Sequence, residues 1–181
     1  MKKYFIVALM AAMCFVLVAC GSQSGSDSYE VEKMEIGTAL GNFASTDLDG
    51  NEVTDAIFAE KDVTILNIWG TYCGPCKEEM PGLAALDEEL PDNVQIIGMV
   101  IDVPEGDTEM IETAKEICKD NNITYTNIVM NESVEELLSS IEAIPTTFIL
   151  DSEGKTICTP IIGADLESYR SVTLDYLESI K

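Results

Sequence analysis

The chain has 181 residues, 33 of them Asp or Glu against 10 Lys or Arg, a formal charge of −23, with six cysteines and no histidine. Without histidine, a Ser-His-Asp or Cys-His hydrolase, a His-ligated zinc site and a C-x-x-C-H haem attachment are excluded, so catalysis must rest on cysteine, carboxylate or backbone groups. The acidic balance repels phosphate backbones and anionic lipid, so nucleic acid is not an expected partner and charge cannot hold the protein to a membrane.

Lys2 and Lys3 precede an apolar run from Tyr4 to Ala19, after which the sequence turns to Gly21-Ser22-Gln23-Ser24-Gly25. A basic start, an apolar stretch and small residues at its exit form the layout of an export signal, and the run falls short of the roughly 20 residues a spanning helix needs. Leu17-Val18-Ala19-Cys20 resembles the lipobox of bacterial lipoproteins. The resemblance implies that residues 1–19 are a lipoprotein signal peptide and that Cys20 carries a diacylglycerol, anchoring the protein to the extracytoplasmic face of the cell membrane. Two acyl chains anchor stably where one is marginal. Residues 20–36 show no clear apolar periodicity and are expected to be a flexible tether with an end-to-end distance of roughly 20 Å. A single folded domain is expected over 37–181, with 46% hydrophobic content ample for a core.

Within that domain, Phe43–Thr46 and Glu52–Thr54 flank Asp49-Gly50-Asn51, a turn signal suited to a short hairpin. Val63–Ile68 is a β-branched apolar run, read as a buried strand. From Cys76 the pattern turns helical, with Met80, Leu83, Ala84, Leu86 and Leu90 on one face, and Pro81 is expected to kink it. Val94–Ile101 reads as a second buried strand, and Asp107 as the cap of a helix running to about Asn121. Tyr125–Met130 is a strand, and Ser133 with Glu136 forms a capping box opening a helix to about Ile141. Thr146–Leu150 is the next strand. The turn Asp151-Ser152-Glu153-Gly154 leads into a last strand over Lys155–Ile161, before a terminal helix from about Asp165 to Ile180. Strands alternating with helices and closing on a hairpin plus helix imply a three-layer α/β domain with a mixed sheet.

Cys73-Gly74-Pro75-Cys76 places two cysteines three apart at the junction of a buried strand and a helix. A thiol at a helix amino end is favoured as thiolate by the unpaired N–H groups and the dipole, and the second lies one turn inside, in reach for a disulfide. Cys73 is thus the expected nucleophile and Cys76 the resolving thiol. Two other readings are a zinc knuckle, which needs two further ligands where only Cys118 and Cys158 remain in the domain, and an inert disulfide, whose loop is too small to stabilise much.

Trp69-x-x-x-Cys73-Gly74-Pro75-Cys76-Lys77 after an apolar strand, with Ile144-Pro145-Thr146-Thr147-Phe148-Ile149-Leu150-Asp151 and Gly154-Lys155 downstream, resembles the thioredoxin superfamily. With the lipobox, the hairpin, the extra helix-strand segment over 107–130 and Glu79 three residues after Cys76, the chain most resembles the TlpA/ResA-like membrane-anchored thiol-disulfide oxidoreductases, over roughly residues 37–178. The resemblance implies a thioredoxin-like three-layer sandwich with a mixed central sheet, an N-terminal hairpin and a central helix-strand insertion. It further implies a cis Ile144–Pro145 peptide facing the cysteines, where Ile144 and Pro145 present backbone to an extended substrate. Trp69, Tyr72, Gly74 and Pro75 would complete the docking rim, Trp69 by packing. Glu79 would exchange protons with the resolving cysteine; the alternative is a solvated helix carboxylate like Glu78. Cytoplasmic thioredoxins carry a buried Asp six residues before the nucleophile, whereas this chain has Asn67, which cannot take a proton, leaving Glu79 as the candidate relay.

The activity implied is reduction of disulfides in partner proteins, with no cofactor beyond the Cys73–Cys76 pair, no metal, and re-reduction by a membrane electron donor of the CcdA/DsbD type. Relatives of this kind serve cytochrome c maturation, spore-envelope assembly or repair of oxidised proteins. A net thiol oxidase or disulfide isomerase, and a non-catalytic lipoprotein binding module on the same fold, are the competing readings. Cys118 shares a helical stripe with Ile111 and Ala114 and is expected to be a buried free thiol, unbonded to Cys158.

Overall fold

The computed structural model describes residues 35–139 and 141–181. The expected signal peptide over 1–19, the lipid-bearing Cys20 and all but the end of the tether lie outside them. That end is already tied to the domain: the Glu35 carbonyl accepts from the Thr156 hydroxyl at 2.9 Å, and the Gly37 N–H donates to the Thr156 carbonyl at 2.7 Å.

The elements are β1 (Ala44–Thr46), β2 (Glu52–Thr54), β3 (Val63–Trp69), α1 (Gly74–Glu89), β4 (Val94–Pro104), α2 (Thr108–Asp120), β5 (Asn127–Met130), α3 (Glu132–Leu137), β6 (Thr146–Asp151), β7 (Ile161–Ile162) and α4 (Leu166–Ser179), with a 3-10 helix over Asp55–Glu60. β1 and β2 form the hairpin read from the sequence. Its turn is built by Asp47, whose Oδ1 accepts from the Asp49 and Asn51 amides at 2.9 and 2.8 Å, and by Gly50 at φ +84°, a left-handed conformation that costs glycine little.

The main sheet runs β5-β4-β3-β6-β7. The pairs β3/β4 and β4/β5 are parallel, as the helical crossovers α1 and α2 require, and β3/β6 and β6/β7 are antiparallel. Every residue of β3 is buried, so this central strand is covered on both faces. Val63 and Ile65 pack with Leu83 and Leu86 of α1 and Tyr169 and Leu177 of α4, whereas Leu66 and Ile68 pack with Phe43, Val53, Phe58 and Val134 on the opposite face. Helices on one face, and the hairpin with α3 on the other, make the three layers of a mixed α/β thioredoxin-like fold.

Several elements differ from the sequence reading. The last strand was expected over Lys155–Ile161, but Lys155 and Thr156 make only isolated bridges, and regular pairing resumes at Ile161–Ile162. Pro160, which lacks an N–H, stands in the gap. The helix expected from a Ser133–Glu136 capping box starts two residues earlier, at Glu132: Asn131 Oδ1 accepts from the Val134 amide at 3.2 Å, and the Ser133 hydroxyl instead bonds the Ala44 backbone of the hairpin. α1 begins at Gly74 rather than Cys76 and runs unbroken through Pro81. β4 extends three residues past Ile101, and its register against β5 shifts between Met99 and Pro104. Such irregularities re-aim side chains, and this one carries Asp102 to the edge of the cysteine loop.

Candidate active site

β3 ends at Trp69, and four residues later the chain enters α1 at the cysteine pair. Cys73 is the N-cap residue of α1: its Sγ accepts from the Cys76 amide at 3.2 Å, so the sulfur occupies the place where a helix start offers unpaired N–H groups. Pro75 sits in the first turn, where a missing N–H leaves no bond unmade. Cys73 and Cys76 are joined in a disulfide with Cα atoms 5.3 Å apart. Cys73 is 6% exposed and Cys76 1%, so an incoming nucleophile or disulfide reaches Cys73 first.

The loop before Cys73 is held on its inner side. The Asp102 carboxylate accepts from the Thr71 amide at 2.9 Å and from the Thr71 hydroxyl, and Lys77 Nζ donates to the Thr71 carbonyl at 3.0 Å. That last contact brings a cation beside the loop, a setting that favours thiolate. Gly70 lets the loop lie close to its neighbours: a β-carbon there would stand 3.0 Å from Ile144 Cδ1 and 3.2 Å from Tyr72 Cε1.

The Ile144–Pro145 peptide is cis, as the resemblance implied, and the Ile144 carbonyl lies 3.7 Å from Cys73 Sγ. Tyr72, Gly74 and Pro75 are exposed, Tyr72 to 68%, and with half-buried Ile144 they form the surface around the dithiol. A cavity of about 390 Å³ opens beside them, lined by Tyr72, Ile101, Met130, Ile141 and Ile144 and bordered by Glu135 and Glu142. Trp69 does not share in this rim. It is 1% exposed and its indole N–H donates to Asn127 Oδ1 at 2.9 Å, so the docking role expected of it gives way to core packing behind the loop.

Glu79 is buried rather than solvated, at 5% exposure. Its Oε1 accepts from Asn67 Nδ2 at 2.9 Å and its Oε2 lies 3.2 Å from the Tyr169 hydroxyl. Burial pushes the carboxyl above the usual carboxylate range, and the two donors only partly offset this. Asn67, the departure from the thioredoxin pattern, therefore touches the very carboxylate proposed to replace the missing acid. Its second amide proton goes to Thr147 Oγ1 at 3.0 Å. Tyr169 and Thr147 were missed in the sequence. The available signal was a tyrosine on the inner stripe of the terminal helix, whose hydroxyl needs a buried partner.

Cys118 and Cys158 are both free. Burial raises the Cys118 thiol to about 11 and also raises that of Cys158, the opposite of the setting that activates a thiol. Among the described residues no three His, Cys, Asp or Glu side chains gather as a metal-holding group.

Comparison with known proteins agrees with this geometry. The AhpC/TSA family model matches residues 36–157. The chain is 31% identical over 156 residues to the thiol-disulfide oxidoreductase ResA of Bacillus thuringiensis, covering 82% of this chain and 85% of the relative. It is 30% identical over 178 residues to ResA of Bacillus cereus, covering 95% and 96%. Among solved structures, the thioredoxin domain of a thiol-disulfide oxidoreductase from Bacteroides vulgatus superposes with a TM-score of 0.63 at 23% identity, over 76% of this chain and 96% of that one.

Proposed function

The chain belongs to the ResA-like thiol-disulfide oxidoreductases of the thioredoxin superfamily, and from that premise we propose that it is an extracytoplasmic, lipid-anchored reductase of protein disulfides. The observation that carries the reading is a cysteine pair at the start of α1 in which Cys73 is the reachable sulfur and Cys76 the sheltered one, opposite the Ile144–Pro145 backbone.

In the reduced state the Cys73 thiolate, supported by the amino end of α1, attacks one sulfur of the substrate disulfide. A mixed disulfide forms, and the departing substrate thiolate takes a proton. Cys76 then gives up its proton and attacks Cys73 Sγ. This releases the second substrate thiol and leaves the Cys73–Cys76 bond, with two electrons transferred to the substrate. Glu79, one turn beyond Cys76 on the buried face of α1, is the carboxylate in this reading that accepts the Cys76 proton; burial raises its basicity for that task. Tyr72, Gly74, Pro75, Ile144 and Pro145 dock an extended segment of the substrate. A membrane dithiol donor of the CcdA/DsbD type resets the pair, and the lipid at Cys20 keeps the domain within its reach.

The test is insulin reduction by the full chain together with a redox titration of the pair. The proposal expects activity that disappears in Cys73→Ser and a potential near or below about −250 mV. Undiminished activity in Cys73→Ser would remove Cys73 from the chemistry. A potential near about −120 mV would make the protein an oxidant instead.

A further inference from the structure

Tyr169 of α4 is fully buried, and its hydroxyl lies between two acceptors, Glu79 Oε2 at 3.2 Å and the Gly163 carbonyl at 2.9 Å. The other donors around it are committed. Both Asn67 amide protons go to Glu79 Oε1 and Thr147 Oγ1. A phenol has one proton, so it satisfies one of its two acceptors at a time.

The second acceptor belongs to the substrate loop. Gly163 donates its own N–H to the Pro145 carbonyl at 2.8 Å, and β7, immediately before it, pairs with the start of β6, immediately after Pro145. One residue before Pro145 is the Ile144 carbonyl beside Cys73 Sγ. A continuous set of contacts, buried at Glu79 and part-buried at Gly163, thus joins Glu79, through one hydroxyl and one glycine, to the backbone opposite the dithiol.

We propose that Tyr169 is a positioning residue that couples the charge on Glu79 to the Pro145 loop, its hydroxyl donating to Glu79 while that carboxylate is ionised and turning to the Gly163 carbonyl when Glu79 is protonated. In the protonated state the Glu79 O–H donates to the Tyr169 oxygen, so the bond between them reverses its direction. The phenol proton moves only by rotation about its C–O bond, and no bond to the tyrosine forms or breaks. The titratable groups facing Glu79 are Tyr169 on α4, Tyr125 ahead of β5, which feels its charge, and Cys76 one turn earlier on α1; no Lys or Arg pairs with it among the described residues. The functional consequence rests on the reading of Glu79 as proton partner of the dithiol: the loop that receives substrate would sense whether the resolving cysteine has given up its proton.

The experiment follows the ¹³C shifts of Glu79 Cδ and the Gly163 carbonyl against pH in the full chain with the pair oxidised. In the wild type both should titrate with one midpoint. In Tyr169→Phe, which removes only the hydroxyl, the Gly163 shift should become flat and the Glu79 ionisation constant should fall about tenfold, since a donor to the charged form is lost. In Glu79→Gln the Gly163 shift should be flat at the low-pH limit of the wild type. A Gly163 shift that ignores pH in the wild type, one that still titrates in Tyr169→Phe, or an unmoved Glu79 midpoint would each overturn the coupling. The two readings fail separately: a coupling that holds beside a dithiol potential whose pH profile is the same in Glu79→Gln would remove Glu79 as proton partner and leave the Tyr169 contact standing.

Discussion

Gly98 in the middle of β4 offers the sharpest test of the packing behind the active-site loop. A β-carbon at this position would stand 1.9 Å from Asn127 Oδ1, 2.7 Å from Asn127 Cγ and 3.1 Å from Trp69 Nε1, where ordinary contact begins at 3.4 Å. In Gly98→Ala the Asn127 side chain must therefore move by well over an ångström. It is held at 2.9 Å by the Trp69 indole and at 3.0 Å to the Tyr125 carbonyl, so displacement breaks at least the first bond and strands a fully buried indole N–H. An unsatisfied buried donor costs about 1–3 kcal/mol and an overpacked core a similar amount, so the variant should lose about 2–6 kcal/mol. For a domain of this size that is a fall in Tm of roughly 5–15 °C. Urea unfolding followed by fluorescence reads the effect where it arises, because Trp69 is the only tryptophan in the chain. Shortening the neighbour should restore part of the loss, so Gly98→Ala with Asn127→Ala should be less destabilised than the two single variants added together. Strict additivity, or a loss in Gly98→Ala below about 1 kcal/mol, would refute the account of Gly98 as the space that Asn127 and Trp69 share.

Two further variants probe the site. Glu79 binds its proton more tightly folded than unfolded, because burial raises its carboxyl above the usual range. Its contribution to stability is therefore fully present below the unfolded carboxylate pKa and is lost as pH rises through the folded one. Glu79→Gln should remove that segment of the pH dependence, and urea unfolding of both proteins across mildly acidic to neutral pH would show it; parallel curves would return Glu79 to an ordinary carboxylate. Asp102→Ala should cost about 1–3 kcal/mol by leaving the Thr71 amide and hydroxyl without their acceptor, and should speed hydrogen exchange at Thr71. Unchanged protection at Thr71 would mean that the loop is held by something else.

What the sequence disclosed were the features whose causes are local. The hairpin is written in Asp49-Gly50-Asn51, β3 in an unbroken apolar run, and the reactive pair in the spacing of Cys73 and Cys76 at a strand-helix junction. Errors arose where distant residues decide. Ser133 was read as a cap because the local pattern fits, yet its hydroxyl serves Ala44, 89 residues away, and Asn131 takes the cap. Trp69 was assigned partly to the docking rim because its position beside the motif gives no hint that Asn127 will hold its indole inside. Glu79 could be singled out by analogy, but its partners Asn67 and Tyr169 stand 12 and 90 residues away, and only the packing of α4 onto the sheet brings the tyrosine to it. The expected last strand is broken by a residue visible in the sequence itself, Pro160, which has no N–H to give to a ladder.

The place of Cys73 at the head of α1 has a consequence for how this protein could be improved or spoiled. Helix starts are best served by serine, threonine, aspartate or asparagine, and a neutral thiol is a poor substitute whose acceptor strength rises only when it is ionised. While that thiol is protonated, catalysis and durability thus make opposite demands on one atom. A laboratory selection for heat resistance alone, run under reducing conditions at a pH low enough to keep the Cys73 thiol neutral, would find Cys73→Ser rewarding, and would deliver a sturdier helix on a protein that no longer exchanges disulfides. Stabilising this scaffold without losing its chemistry means working elsewhere, and holding that position under a demand for turnover.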